Sequence, residues 1–131
     1  MPGRNRHLIP FRSPAVLILW ADSLFEGVLA AACFALGSRL ATWFDLAREL
    51  FWLLGGLLAA AAVGLAWLAR ERAIGWLPRA ALANVATGVA LWVIALVAWG
   101  GFSPEARWLI SAVANASLLL GIAQWLAWRR P

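Results

Sequence analysis

The sequence predicts an all-α integral membrane protein, a four-helix bundle of antiparallel up-and-down spans. Two observations carry this. Hydrophobic residues make up 64% of the chain and charged ones 13%, far too apolar for a soluble domain of 131 residues, so most of the surface must face lipid. Three runs without charge, Leu50 to Ala69, Ala80 to Pro104 and Trp108 to Trp128, each reach the roughly 20 residues that cross about 30 Å of hydrocarbon as a helix. A fourth stretch, Pro14 to Gly37, has the length but contains Asp22 and Glu26.

In chain order, a basic segment 1–13 precedes a single four-span transmembrane domain, 14–128, and residues 129–131 close the chain. The spans are expected at about 14–37, 46–69, 79–101 and 104–128. The first reads as an uncleaved helix rather than a secretory leader, because Asp22 and Glu26 cut its apolar core short. Ser13-Pro14 and Ser103-Pro104 each set a capping hydroxyl before a proline suited to the first helical turn, and Pro78 opens the third span in the same way. The second span is expected to begin near Asp45, and Glu105 sits where the dipole of the fourth helix favours a negative charge. Gly37-Ser38, Gly75 and Gly100-Gly101 are expected to end the first three spans. Short loops make consecutive helices antiparallel neighbours. GVLA at 27 and GVAL at 88, with WLAR at 67 and WLAW at 125, suggest two similar helical hairpins.

Charge sets the expected orientation. All eleven basic residues are Arg, a usage that points to a GC-rich bacterial genome. Eight of them (Arg4, Arg6, Arg12, Arg70, Arg72, Arg79, Arg129, Arg130) fall on one side, against Arg39, Arg48 and Arg107 on the other. The positive-inside rule then places both termini in the cytoplasm of a multi-pass protein of the cell inner membrane. Trp67, Trp76, Trp125 and Trp128 mark one membrane boundary and Trp43, Trp52, Trp99 and Trp108 the other, with Trp20 and Trp92 deeper. The basic rim fits anionic lipid, and no nucleic-acid partner is expected.

Chemistry is sparse. The sequence has no phosphate-binding glycine loop, no Ser/His/Asp set and no paired Cys, so neither an enzyme nor a cofactor or metal site is expected. Cys33 reads as a small apolar residue, and the single histidine, His7, lies in the N-terminal tail. The NAS triplet at 115–117 falls inside a span, out of reach of glycosylation.

That leaves the acids. Asp22 and Glu26 are four residues apart and share a helical face, roughly 12 and 18 Å along the span from Pro14. One acid at a span centre costs about 2.5 to 3.5 kcal/mol on insertion scales, so a specific environment must receive the pair. No Arg, Lys or His lies within the four spans to meet them. Either the acids hold protons or a group outside this chain neutralises them. Four readings stay open: bonding inside the bundle to Ser23, Asn84, Thr87 or Gln124; contact with another membrane subunit or a second copy; a proton or cation pathway; and a pigment or cofactor site. The remaining polar side chains, Ser111 and Asn115, establish no continuous polar path, since Asn115 and Gln124 lie about 180° apart.

Small-residue stripes predict close helix packing: Gly27, Ala31 and Ala35 on the first span, Gly56, Ala60 and Gly64 on the second, Ser117 and Gly121 on the fourth. Internal bundle packing is the first reading of these, homo-oligomerisation the second.

The segments WADSLFEGVLAAACFALG and ANVATGVALWV, with the C-terminal QWLAWRR, resemble a set of small four-span bacterial membrane proteins of uncharacterised function. In those, an acid sits early in the first span, an Asn and a Trp occur in the third, and arginines close the chain. The resemblance implies architecture without activity. The small multidrug-resistance transporters also carry an essential Glu in the first span, but the strong charge bias, the extra length and the absence of Tyr depart from them. The leading expectation is a non-enzymatic accessory or interaction subunit that uses the Asp22/Glu26/Gly27 face. The alternative is a small proton- or cation-coupled transporter or channel with Glu26 as its site.

Overall fold

Leu19, Ala15, Ala69 and Leu77 gather at one end of the bundle and Cys33, Leu40 and Phe51 at the other, two apolar clusters that fix how the helices lie. The computed structural model describes residues 13–130. The N-terminal basic segment with Arg4, Arg6, His7 and Arg12, and Pro131, lie outside the described residues. Five α-helices form: α1 (Pro14–Ala35), α2 (Gly37–Phe44), α3 (Arg48–Arg70), α4 (Leu77–Val97) and α5 (Pro104–Arg129), with 3-10 turns at Ile74–Trp76 and Trp99–Gly101. All but α2 are long and apolar enough to cross a membrane, and no strand occurs among the described residues. The chain is an all-α four-helix bundle and a small multi-pass membrane protein.

Helix starts follow the capping chemistry. The Ser13 hydroxyl accepts from the Val16 amide at 3.3 Å and the Ser103 hydroxyl from the Ala106 amide at 3.2 Å, each ahead of a proline in the first turn. Pro78 likewise lies in the first turn of α4, without a side-chain cap.

Helix ends depart from the expectation. Among the described residues no glycine takes a positive φ, and the left-handed positions are Asp45 and Arg72, both at φ 53°. Each closes its helix by a bond across six residues, Leu46 N–H to the Ala41 carbonyl and Ala73 N–H to the Leu68 carbonyl. Asp45 therefore ends α2 instead of starting the second span, which begins at Arg48. Gly37 opens α2 instead of closing the first span, Gly75 lies in a 3-10 turn, and the third span runs from Leu77 to Val97, stopping short of Gly100. α2 itself was not expected. It buries Gly37 and Leu40 and exposes Ser38, Arg39 and Thr42, and the Ser103 amide, which donates to the Trp43 carbonyl at 3.0 Å, ties it to the start of α5.

The most extensive packing is α1 against α3 and α4 against α5, so the molecule is two antiparallel hairpins joined mainly along α1 and α5. Consecutive spans α3 and α4 share the cluster at their adjoining ends, around Ala69, Ile74 and Leu77. In the second hairpin the backbones nearly touch. A Cβ on Gly88 would lie 2.9 Å from the Ala114 carbonyl oxygen, and one on Gly121 would lie 2.9 Å from that of Ala81.

The expected stripes on α1 and α3 do not pack in this way. Gly56, Ala60 and Gly64 are exposed, with no atom within 4 Å of a Cβ placed on either glycine. Ala31 and Ala35 are exposed too, and Gly27 meets Ala62 at an ordinary 3.9 Å. The buried glycine of α3 is Gly55, one residue away, whose Cβ would meet Cys33 at 3.1 Å and the Phe34 ring at 3.2 Å. The seam of α3 runs through Phe51, Gly55 and Ala69, so the stripe beginning at Gly56 is turned by about 100° from it. Ser117 and Gly121 lie on a closely packed face as expected.

Candidate functional site

Where the hairpins meet, three polar side chains from three helices close on one another. Asp22 of α1 is 1% exposed, Asn84 of α4 7% and Gln124 of α5 0%. The Asn84 amide nitrogen donates to Asp22 Oδ2 at 2.8 Å and to Gln124 Oε1 at 3.0 Å, and the Gln124 amide nitrogen donates to the same Asp22 Oδ2 at 2.5 Å. The inward seams explain the meeting: Leu19 and Asp22 on α1, Ala81, Asn84 and Gly88 on α4, and Ser117, Gly121 and Gln124 on α5 recur at three- and four-residue intervals. In hydrocarbon such groups must find one another, because lipid offers no donor or acceptor.

The arrangement leaves acceptor capacity over. Among the described residues Asp22 Oδ1 is buried without a hydrogen-bond partner, and so is Glu26 Oε2, one turn further along the same face. Glu26 is half-buried, and among the described residues no third acid, His or Cys converges with the pair. Two carboxyl oxygens that no protein donor meets are suited to taking up a proton or a small cation. A structural tie would need the Asp22 Oδ2 side alone.

The other expected site residues separate from this centre. Thr87 is exposed, because the α4 seam passes from Asn84 to Gly88 and leaves Thr87 off it. Ser23 bonds within the first hairpin, its hydroxyl donating to the Ala62 carbonyl at 2.8 Å. Asn115 lies on the far side of α5 from Gln124 and accepts from the Trp92 indole at 3.1 Å on the exposed surface. Asp22, Asn84 and Gln124 are thus brought together, Glu26 adjoins them, and Thr87 is left out. Gly88, the first residue of the GVAL segment, was not expected as a packing residue, yet it lies at the α4/α5 contact. Cys33 is buried and packs against Gly55 as a small apolar residue.

Both ends of the bundle carry arginines stacked on tryptophan. Arg79 lies 4.6 Å over the Trp76 ring and Arg129 5.0 Å over Trp125 at one end; Arg48 lies 4.4 Å over Trp52 and Arg107 5.3 Å over Trp99 at the other. Among the described residues, the first end holds Arg70, Arg72, Arg79, Arg129 and Arg130 against Glu71, while the second balances Arg39, Arg48 and Arg107 with Asp45, Glu49 and Glu105. The chain matches no protein-family model, no curated protein and no solved structure.

Proposed function

We propose that this small multi-pass membrane protein is a proton- or cation-coupled transporter, with Glu26 as the carrier site and Asp22 as its neighbour in the hairpin seam. One observation carries the reading: Asp22 faces the interior between the two hairpins with Glu26 a turn further along its helix, and the pair keeps two buried carboxyl oxygens without a donor among the described residues. An accessory role through the Asp22/Glu26/Gly27 face would need these acids on the outside, whereas Asp22 is enclosed by Asn84 and Gln124. The exposure of Thr87 and Asn115 leaves no polar track for an open channel, which favours occupancy of the seam coupled to movement of one hairpin against the other. The protein is non-enzymatic, resides in the bacterial inner membrane, and keeps its basic end and both termini in the cytoplasm.

The test is flux in proteoliposomes carrying an interior pH-sensitive dye, with an imposed potential and with sodium or potassium on one side. Wild type is expected to move protons or one of these cations faster than empty vesicles. Glu26→Gln is expected to abolish that movement while the detergent-purified protein keeps its elution volume and helical content. Wild-type flux equal to empty vesicles sinks the proposal.

A second reading, an accessory subunit that docks another span or its own copy, is favoured by the exposed Gly56/Ala60/Gly64 stripe on α3, the least covered of the long helices. Native mass spectrometry of wild type and Gly56→Leu tests it. A dimer or copurifying chain lost in the variant supports this reading, and a monomer in both removes it.

A further inference from the structure

An open groove of about 310 Å³ runs between α4 and α5 towards the arginine-rich end of the bundle. Its floor is Ala81 and Gly121, where the two backbones approach too closely to admit larger side chains. Leu82 and Ile122 form its walls, and Pro78 and Trp125 stand at the end nearer the helix termini. Two arginines belong to the helix turns that form that end. Arg79 follows Pro78 in sequence and is stacked over Trp76, and Arg129 is folded back over Trp125 itself. A guanidinium held over an indole face keeps N–H donors that can bond two phosphate oxygens at once. Neither arginine has an ion-pair partner among the described residues, and the sole acid at this end of the described chain, Glu71, lies exposed at the end of α3.

The geometry points to a bound anionic phospholipid: one acyl chain lies in the α4/α5 groove and the phosphate is held between Arg79 and Arg129. Charge complementarity selects the occupant. An uncharged apolar partner would leave both guanidinium edges unanswered, and a free phosphate would leave the groove unexplained. Basic sites between transmembrane helices have this chemistry, an apolar slot with a cationic mouth at headgroup level. The opposite end of the bundle, where arginines and acids balance, provides no such mouth. The site is separate from the Asp22 centre, so it stands whether or not the protein transports an ion.

The experiment is native mass spectrometry of the full chain in mild detergent, equilibrated with equal amounts of phosphatidylglycerol and phosphatidylcholine of identical chains. Wild type is expected to retain phosphatidylglycerol preferentially. Each near-surface arginine changes anionic-lipid affinity about fivefold, so Arg79→Gln with Arg129→Gln lowers that retention roughly 30-fold. Ile122→Trp, at a lipid-facing position, fills the groove and lowers retention of both lipids. Arg70→Gln with Arg130→Gln removes the same charge from the same end, at residues that neither line the groove nor stack on Trp125, and leaves retention close to that of wild type. Equal retention of the two lipids by wild type overturns the assignment, and this measurement needs no variant to fold. So does an equal loss in the Arg70/Arg130 pair, which would mark general rim charge. Displacement of the lipid by millimolar inorganic phosphate alone would mark a simple anion site and overturns it as well.

Discussion

One substitution, made at four glycines, separates packed from lipid-facing helix surface. In Gly121→Ala the new methyl would lie 2.7 Å from Val85 Cγ2 and 2.9 Å from the Ala81 carbonyl oxygen, about 0.5 Å inside ordinary contact. Val85 can rotate, but the carbonyl belongs to the backbone of α4, so the helices themselves must part. Gly88→Ala meets the same obstacle from the other side, 2.6 Å from Leu118 Cγ and 2.9 Å from the Ala114 carbonyl oxygen. A gap of half an ångström along a seam forfeits a quarter or more of the dispersion attraction of the atoms on it. Overpacking of this kind costs about 1 to 3 kcal/mol. The two sites share one seam, so the double variant should lose less than the two single losses added together. Gly56→Ala and Gly64→Ala place the methyl where nothing lies within 4 Å. These should be neutral or gain up to about 1 kcal/mol through helix propensity. The assay is equilibrium unfolding of the detergent-solubilised protein by titration with sodium dodecyl sulfate, followed by far-ultraviolet circular dichroism. A Gly121→Ala protein within about 0.5 kcal/mol of wild type would refute the close approach of α4 and α5, since that value lies below the overpacking range. A comparable loss in Gly56→Ala would show that the α3 stripe is covered in solution, as the accessory reading requires.

The polar centre and the helix caps respond to the same titration. Asp22→Ala strips the Asn84 and Gln124 amides of their shared buried acceptor and should cost about 1 to 3 kcal/mol, whereas Asp22→Asn keeps an oxygen for both and should stay within about 1 kcal/mol of wild type. Equal losses in the two would mean that the negative charge, rather than the acceptor, holds the hairpins together. Ser103→Ala removes the acceptor of the Ala106 amide and should cost about 1 kcal/mol, with faster amide exchange confined to the first turn of α5. Unchanged exchange there would refute the cap.

Much of the architecture was legible because membrane helices declare themselves by length and by the absence of charge. Ser13-Pro14 and Ser103-Pro104 marked their helix starts to the residue, since both the acceptor and the locked φ are local chemistry. The helix ends were not legible from glycine. Asp45 and Arg72 occupy the left-handed positions, and which residue does so depends on where the following segment must go. α2 was hidden for a related reason. Its eight residues are too short to span, and Gly37 inside the apolar run reads as a stop until the burial of Leu40 against Phe51 and Cys33 shows the chain turning along the bundle end.

The contrast between the Asp22 centre and the α3 stripe shows which sequence signals bind a membrane fold and which do not. In water a helix reveals its inner face by hydrophobicity, but α3 is apolar on every side, and lipid accepts a leucine as readily as the core does. Small residues therefore permit close packing without requiring it. Gly55 is used and Gly56 is not, although nothing in their local sequence distinguishes them. Amides and carboxyls obey a stricter rule, because a lipid-facing position leaves their hydrogen bonds unmade unless a neighbouring side chain answers them, as the Trp92 indole does for Asn115. Asp22, Asn84 and Gln124 had to converge, and they do. Thr87 escapes the rule because a threonine hydroxyl is small enough to be satisfied within its own helix, and so it can sit outside the seam at little cost. By the same reasoning Glu26 is the exception that matters. It is too strongly polar for lipid and keeps one buried oxygen with no donor among the described residues, and this is the oxygen that the proposed proton or cation would meet.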